Sequence, residues 1–420
     1  MIETITLRPG ITLRCCRDRR FKQGCLTVQL LRPMCREEAA LNALLPAVLL
    51  RGTKQHPDLR SITHALDDLY GSSVSTLVRR IGDVQTTGLY CGFMEDRFAL
   101  PGDRVLEPML ALMQELLLDS ALEEGSFLPE FVESEKRNLI ATVEGELNNK
   151  QAYAMNRMVR VMCAGDSFAV PRLGEKEDIR AITPAALRQH YENILATSPI
   201  QFFYVGSAES AQVAALLEPL ILRLPQGERR EPNRRTLQTA APSDFSETMD
   251  IAQGKLCMGF LTPITNRDDL FIPMQVLNTL FGGGMTSKLF QNVREKLSLC
   301  YSVGSSYHGS KGIVTVAAGI DFDKETAARE EILRQLEACR EGQISDSELT
   351  AAREALLSAL RASLDSPGAI ESYYSTAAIS GSGRTVERYM AAVEAVTPEQ
   401  VVEAANTLEL HTVFFLKGGV

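Results

Sequence analysis

The chain has 420 residues, of which 45% are hydrophobic and 23% charged, with no Trp and a formal net charge of −9. That length exceeds the roughly 250–300 residues at which single cores stop growing, so two or more domains are expected. The acidic balance supplies no field to attract phosphate backbones, and no apolar run approaches the roughly 18 residues of a membrane span, so neither nucleic acid nor membrane is an expected partner.

The opening stretch MIETITLRPGITLRCCRDRR alternates β-branched and polar residues and has no apolar core of a signal peptide. It reads as a first strand, and a cytoplasmic location is the expectation. Nine Cys without a C-x-x-C pair read as reduced thiols. Helical segments follow at 37–51 and 58–70, the second entered through Pro57 and Asp58, ordinary capping chemistry. LYGSSVSTLVRRIGDVQTTGLYCGFMEDR then carries two alternating runs around a turn, and VLEPMLALMQELLLD is helical. Long amphipathic helices come next in PEFVESEKRNLIATVEGELNNKQAYAMNRMVRVM, and the half closes with a short helix and the strand PIQFFYVG.

Residues 224–245 are rich in charge, Pro and polar side chains without periodicity, which marks a linker. Its arginines, Arg229, Arg230, Arg234 and Arg235, read as solvated linker charge rather than a site for an acidic partner. Beyond it the pattern recurs: helices at 268–281 and 285–297, a hairpin in CYSVGSSYHGSKGIVTVAAGIDFDKE, the helices ETAAREEILRQLEACREG and SDSELTAAREALLSALRASL, and a closing strand LHTVFFLKG. Thr183-Pro184 and Thr397-Pro398 place the same N-cap and first-turn Pro before the closing helices. The expected class is α+β, two tandem repeats at 1–223 and 246–420, each a single mostly antiparallel sheet with helices on one face.

The second half carries LFGGGMTSKLFQNVREKLSLCYSVGSSY: a Gly-rich turn, a Ser-x-Leu-Phe helix, Arg-Glu, and a Tyr opening a strand. In this the chain resembles the insulinase-type M16 family of zinc peptidases, and the resemblance implies the M16/LuxS-like metallohydrolase fold. Active members carry H-x-x-E-H on a helix that ends in a basic residue and Gly-Thr. Residues at i and i+4 share a helical face, so two imidazoles can hold one zinc while the Glu polarises its water. Here the ending is Arg51-Gly52-Thr53, and counting back puts Ala43, Pro46 and Ala47 at His, Glu and His. The third ligand, a Glu seven residues after an acidic-basic pair, falls on Thr142 when counted from Glu135-Lys136, with Glu144 two residues away.

No other ligand set replaces them. The five His residues, His56, His64, His190, His308 and His411, include no pair at i, i+3 or i, i+4, and His64 with Asp67 reads as a surface hydrogen bond. Ala and Pro cannot bind metal, and Pro46 should kink or shorten its helix. Phe281 to Met285, FGGGM, lacks the spacing of a phosphate cradle and reads as a turn that lets another backbone come close.

Arg294 and Tyr301 match the Arg/Tyr pair which, in active members, reaches toward a substrate carbonyl. Both donate hydrogen bonds suited to a developing oxyanion. A structural reading, Arg294 capping a helix C-terminus and Tyr301 in strand core, stands open beside it. The resemblance implies a non-catalytic subunit without metal or cofactor, similar to the inactive members of paired bacterial M16 proteins. Such a chain would hold peptide in a clamshell with an active, zinc-bearing paralogue, or self-associate. A stand-alone peptide-binding or scaffold protein is the alternative.

Overall fold

The computed structural model describes residues 2–233 and 236–419, so Arg234 and Arg235 lie outside the described residues. The first half forms β1 (Ile2–Arg8), β2 (Ile11–Arg17), β3 (Gln23–Pro33), α1 (Arg36–Leu49), α2 (Leu59–Asp68), β4 (Ser73–Ile81), β5 (Val84–Met94), α3 (Leu106–Leu118), the short β6 (Leu122–Glu123) and β7 (Ser126–Phe127), α4 (Pro129–Gly145), α5 (Lys150–Met162), α6 (Lys176–Ala181), α7 (Pro184–Thr197), β8 (Ile200–Gly206) and α8 (Ser210–Arg223). The second forms β9 (Ser243–Met249), β10 (Gly254–Leu261), α9 (Phe271–Gly282), a π-helical segment Leu289–Lys296, β11 (Ser302–His308), β12 (Ile313–Ile320), α10 (Glu325–Arg340), α11 (Asp346–Ala362), α12 (Pro367–Ser380), α13 (Val386–Glu394), α14 (Pro398–Asn406) and β13 (Glu409–Gly418). No helix among the described residues is long and apolar enough to cross a membrane.

Strand order makes the repeat explicit. One sheet runs β1-β2-β8-β3-β5-β4 and the other β9-β13-β10-β12-β11, so β2, β8, β3, β5 and β4 recur as β9, β13, β10, β12 and β11. In each sheet one pair is parallel, β2 with β8 and β13 with β9, and the other pairs are antiparallel. The repeat extends to the caps. The Thr183 hydroxyl accepts from the Ala186 amide and the Thr397 hydroxyl from the Gln400 amide, each followed by Pro in the first turn.

The chain divides into two compact units that are discontinuous in sequence. One comprises residues 1–144, 170–235 and 364–376, the other 145–169, 236–363 and 377–420. Relative to a linear division at 224–245, the departures are α5 and most of α12. In the first unit the main helical layer packs on one sheet face, where Leu26, Val28, Leu30 and Leu89 meet Leu44, Met109, Leu187 and Ile194. Every residue of β8 is buried, however, so the opposite face also needs cover. It gets it from α12, whose Ile370 clusters with Cys16, Cys25, Phe203 and Val205.

In the second unit α5 does the corresponding work: Ala154 and Met158 cluster with Cys257, Phe414 and Leu416. A Cβ on Gly259 would stand 2.6 Å from the Met162 sulfur, so glycine is what lets this helix settle so near the sheet. The buried Lys311 ammonium, 3.0 Å from Asp166, fastens the end of the same segment to the β11–β12 turn.

Within 224–245 the expected solvated linker is partly anchored. Arg229 donates to the Ser198 carbonyl at 2.5 Å and the Leu195 carbonyl at 2.7 Å, and burial lowers its pKa to about 10.

Candidate functional site

The helix expected to carry the metal ligands is α1. Ala43 is 6% exposed, Pro46 is buried and Ala47 half-buried, so the three positions sit at or just beneath the surface of the unit. Pro46 lies inside the helix, which continues to Leu49, three residues further, and ends there. A proline cannot donate to the carbonyl four residues back, that of Asn42. The Thr87 hydroxyl on β5 donates to it instead, at 2.7 Å, and the accounting of buried backbone groups closes.

Around Asn42 a buried polar network has formed. Its amide donates to Gln85 Oε1 at 2.9 Å and its carbonyl oxygen accepts from His190 Nε2 at 2.8 Å, while Gln85 Nε2 donates to the backbone oxygens of Ala39 and Arg172. Burial pushes the His190 pKa down to about 4, Glu38 opposing and Arg32 assisting. The imidazole is therefore neutral near pH 7, and its function is to hold α1 against α7. Asn42 and Gln85 were not singled out from sequence, because a helix-interior Asn and a strand Gln carry no motif, and His190 was named only among the five His without a ligand partner.

The Gly-Thr turn is preserved for structural reasons. A Cβ on Gly52 would lie 2.4 Å from the Pro57 carbonyl oxygen. Thr53 donates to the Glu115 carboxylate, which also meets His56 Nδ1 at 2.9 Å, so His56 is occupied. Thr142, at the position expected for the third ligand, is exposed and donates back to the Asn138 carbonyl at 2.9 Å. Glu144 pairs with Lys176. Among the described residues no three His, Cys, Asp or Glu side chains gather as a metal-binding group. A methyl group, a pyrrolidine ring and a self-satisfied hydroxyl do not fit a zinc ion. What joins α1 to α4 is an ion pair: Arg51 Nη1 lies 3.3 Å from Glu135 Oε1, with the guanidinium 5.6 Å from the Phe131 ring centre.

Arg294 and Tyr301 lie in the other unit. Arg294 is on the π-helical segment, a form often found at functional sites, where an α-helix was expected over 285–297. Its guanidinium rests 4.6 Å from the Phe290 ring centre and 3.6 Å from Glu295. Tyr301 is 61% exposed and sits just before β11, so the strand-core reading does not describe it. Its hydroxyl donates to Asp321 Oδ1 at 2.9 Å, and Lys324 pairs with Asp321 at 2.9 Å. The hydrogen bond to Asp321 raises the phenol pKa, and Lys324 first, then Tyr301, lowers that of Asp321. Asp321 and Lys324 were not foreseen, since they lie twenty residues on and across the hairpin. The FGGGM stretch is the exit of α9 and no phosphate cradle: a Cβ on Gly282 would lie 2.6 Å from the Ser305 amide, Gly284 is open, and Met285 is 73% exposed.

Fold and site together define a tandem α+β protein of two sheet-and-helix units, in which the positions expected to hold metal, Ala43, Pro46, Ala47 and Thr142, offer it no ligand. The family described as "Peptidase M16 inactive domain" matches residues 181–356. A Bacillus subtilis protein, "Probable inactive metalloprotease YmfF", is 30% identical over 409 residues, covering 97% of this chain and 96% of that one. A conserved protein from Enterococcus faecalis superposes with a TM-score of 0.92 at 26% identity, covering 100% and 99% of the two chains. A "peptidase M16 inactive domain" structure from Pseudomonas fluorescens, at 16% identity, shares the fold with a TM-score of 0.81, covering 100% and 98%. The chain belongs to the peptidase M16 family, among its inactive members.

Proposed function

We propose that the chain is the non-catalytic subunit of a cytoplasmic M16-type peptidase pair, forming with an active, zinc-bearing paralogue a clamshell that holds peptide. The observation carrying this reading is a contrast. Ala43, Pro46, Ala47 and Thr142 supply no ligand, while Arg294 and Tyr301 remain at the surface with hydrogen-bond donors. Donors aimed at a polarised carbonyl stabilise the developing charge whichever chain they come from. Tyr301 has a single proton, now donated to Asp321, so in this reading the substrate carbonyl replaces Asp321 as its acceptor.

The test is co-expression with a paralogue of similar length bearing an intact H-x-x-E-H, followed by a peptide-cleavage assay. The two chains should co-purify and cleave. Arg294→Ala and Tyr301→Phe should each lower cleavage by roughly 10–1000-fold, the range for losing one oxyanion donor, with melting temperature unchanged. Cleavage unaffected by both changes would return the pair to structural roles. Peptide binding by the isolated chain, without co-purification, would instead support the stand-alone scaffold reading, and self-association would appear as a homodimer.

A further inference from the structure

Because the two halves are repeats, α5 and α12 are alternative occupants of the same kind of seat. Each covers the sheet face opposite the main helical layer, and each does so on the sheet built mainly by the other half of the sequence. Ladder register aligns the two seats. Thr27 pairs with Phe203 in one sheet and Cys257 with Phe414 in the other, which makes Thr27, Gln29 and Arg79 the counterparts of Cys257, Gly259 and His308. On the helices the inward positions are Ala154 and Met158 on α5, and Glu371 and Ser375 on α12, all fully buried.

The chemistry of the two seats differs sharply. Glu371 Oε1 accepts from Thr27 Oγ1 at 3.1 Å, Gln29 Nε2 at 3.0 Å, Ser375 Oγ at 2.9 Å and Arg79 Nη1 at 3.1 Å, while Oε2 accepts from Arg79 Nη2 at 2.7 Å. Ser375 also receives Gln201 Nε2 at 3.3 Å. In the other seat Met158 and Ala154 lie on Cys257, Phe414 and Leu416.

We infer that the buried Glu371 network is a seat-selecting lock, which assigns α12 to the β3/β4/β8 seat and leaves the apolar β10/β13 seat to α5. On the wrong seat the Glu371 carboxylate would keep only Ser375, which travels with it on α12, and would meet Cys257, Gly259 and His308 in place of the four donors of Thr27, Gln29 and Arg79. An undercompensated buried carboxylate is among the costliest contacts a fold can make. Conversely, Met158 on the polar seat would leave Gln29, Thr27 and Arg79 without their acceptor. Asp166 repeats the rule at the far end of the α5 segment. It meets Lys311 at the β11–β12 turn, whereas the β4–β5 turn carries Asp83. A buried polar group that fixes which surfaces pair is an established use of such groups in tandem or symmetric proteins.

The experiment uses the full chain with reporter thiols Ser375→Cys, Gln201→Cys and Thr412→Cys, the last at the ladder counterpart of Gln201, unfolded under reducing conditions, refolded, oxidised and mapped by peptide mass spectrometry. With Glu371 present, the thiol at 375 should crosslink to 201. In the doubly apolar Glu371→Leu/Arg79→Leu background, crosslinking of 375 to 412 should rise at least about tenfold relative to 375–201. Glu371→Gln keeps shape and part of the hydrogen bonding, folds even if the double change does not, and should shift the partition in the same direction by less. An unchanged partition in both backgrounds, or crosslinking of 375 to 412 while Glu371 is intact, would overturn the inference.

Discussion

At the scale of single residues, α1 is a packing element held by the buried polar groups of Asn42, Gln85 and His190. His190 makes this testable through pH. Its pKa is about 4 in the folded chain, set mainly by burial, against an ordinary value of 6.5, so the unfolded chain binds the proton more tightly. The contribution is therefore complete above pH 6.5, is lost as pH falls from 6.5 to 4, and changes no further below that. The loss amounts to at most about 3 kcal/mol. Urea unfolding between pH 8 and 4, compared with a His190→Asn variant, should show a steeper loss in the wild type over that window. Parallel profiles would contradict the assignment. The sequence revealed which residues α1 lacks but not this network, because Asn42, Gln85 and His190 are 43 to 148 positions apart and meet only across strand and helix.

At the scale of elements, Arg51, two residues beyond α1, pairs with Glu135 on α4, and Ala43, Pro46 and Ala47 on α1 carry no side-chain atom that could bind metal. Purified protein should accordingly contain only sub-stoichiometric zinc by elemental analysis, and a chelator should leave its melting temperature unchanged. Stoichiometric zinc that is removed by chelator and lost on changing side chains of α1 would refute this. The helices, hairpins and caps were legible because they rest on local signals: Thr183 and Thr397 as N-caps, period-two runs in β4, β5 and β12, and Asp58 opening α2. After Pro46, α1 runs only to Leu49, two residues short of the helical segment read over 37–51, with Thr87 taking the freed Asn42 carbonyl, and the helical segment read over 285–297 is π-helical from Leu289 to Lys296.

At the scale of the whole molecule, α5 and α12 make the two halves of the sequence depend on each other. Residues 1–235 alone would leave Cys25, Phe203 and Val205 without α12, and residues 236–420 alone would leave Cys257, Phe414 and Leu416 without α5. Expressed apart, each half should bind a hydrophobic dye and exchange its sheet amides rapidly, and co-expression should restore protection. Two halves that each unfold cooperatively alone would contradict the dependence. The sequence by itself determined the repeat and the fold class, since these are written in local periodicity, capping residues and fixed motif spacing. Only the tertiary structure decided which sheet each crossing helix covers and where the buried Glu371 finds the donors of Thr27, Gln29 and Arg79, because those contacts join residues that no local pattern brings together.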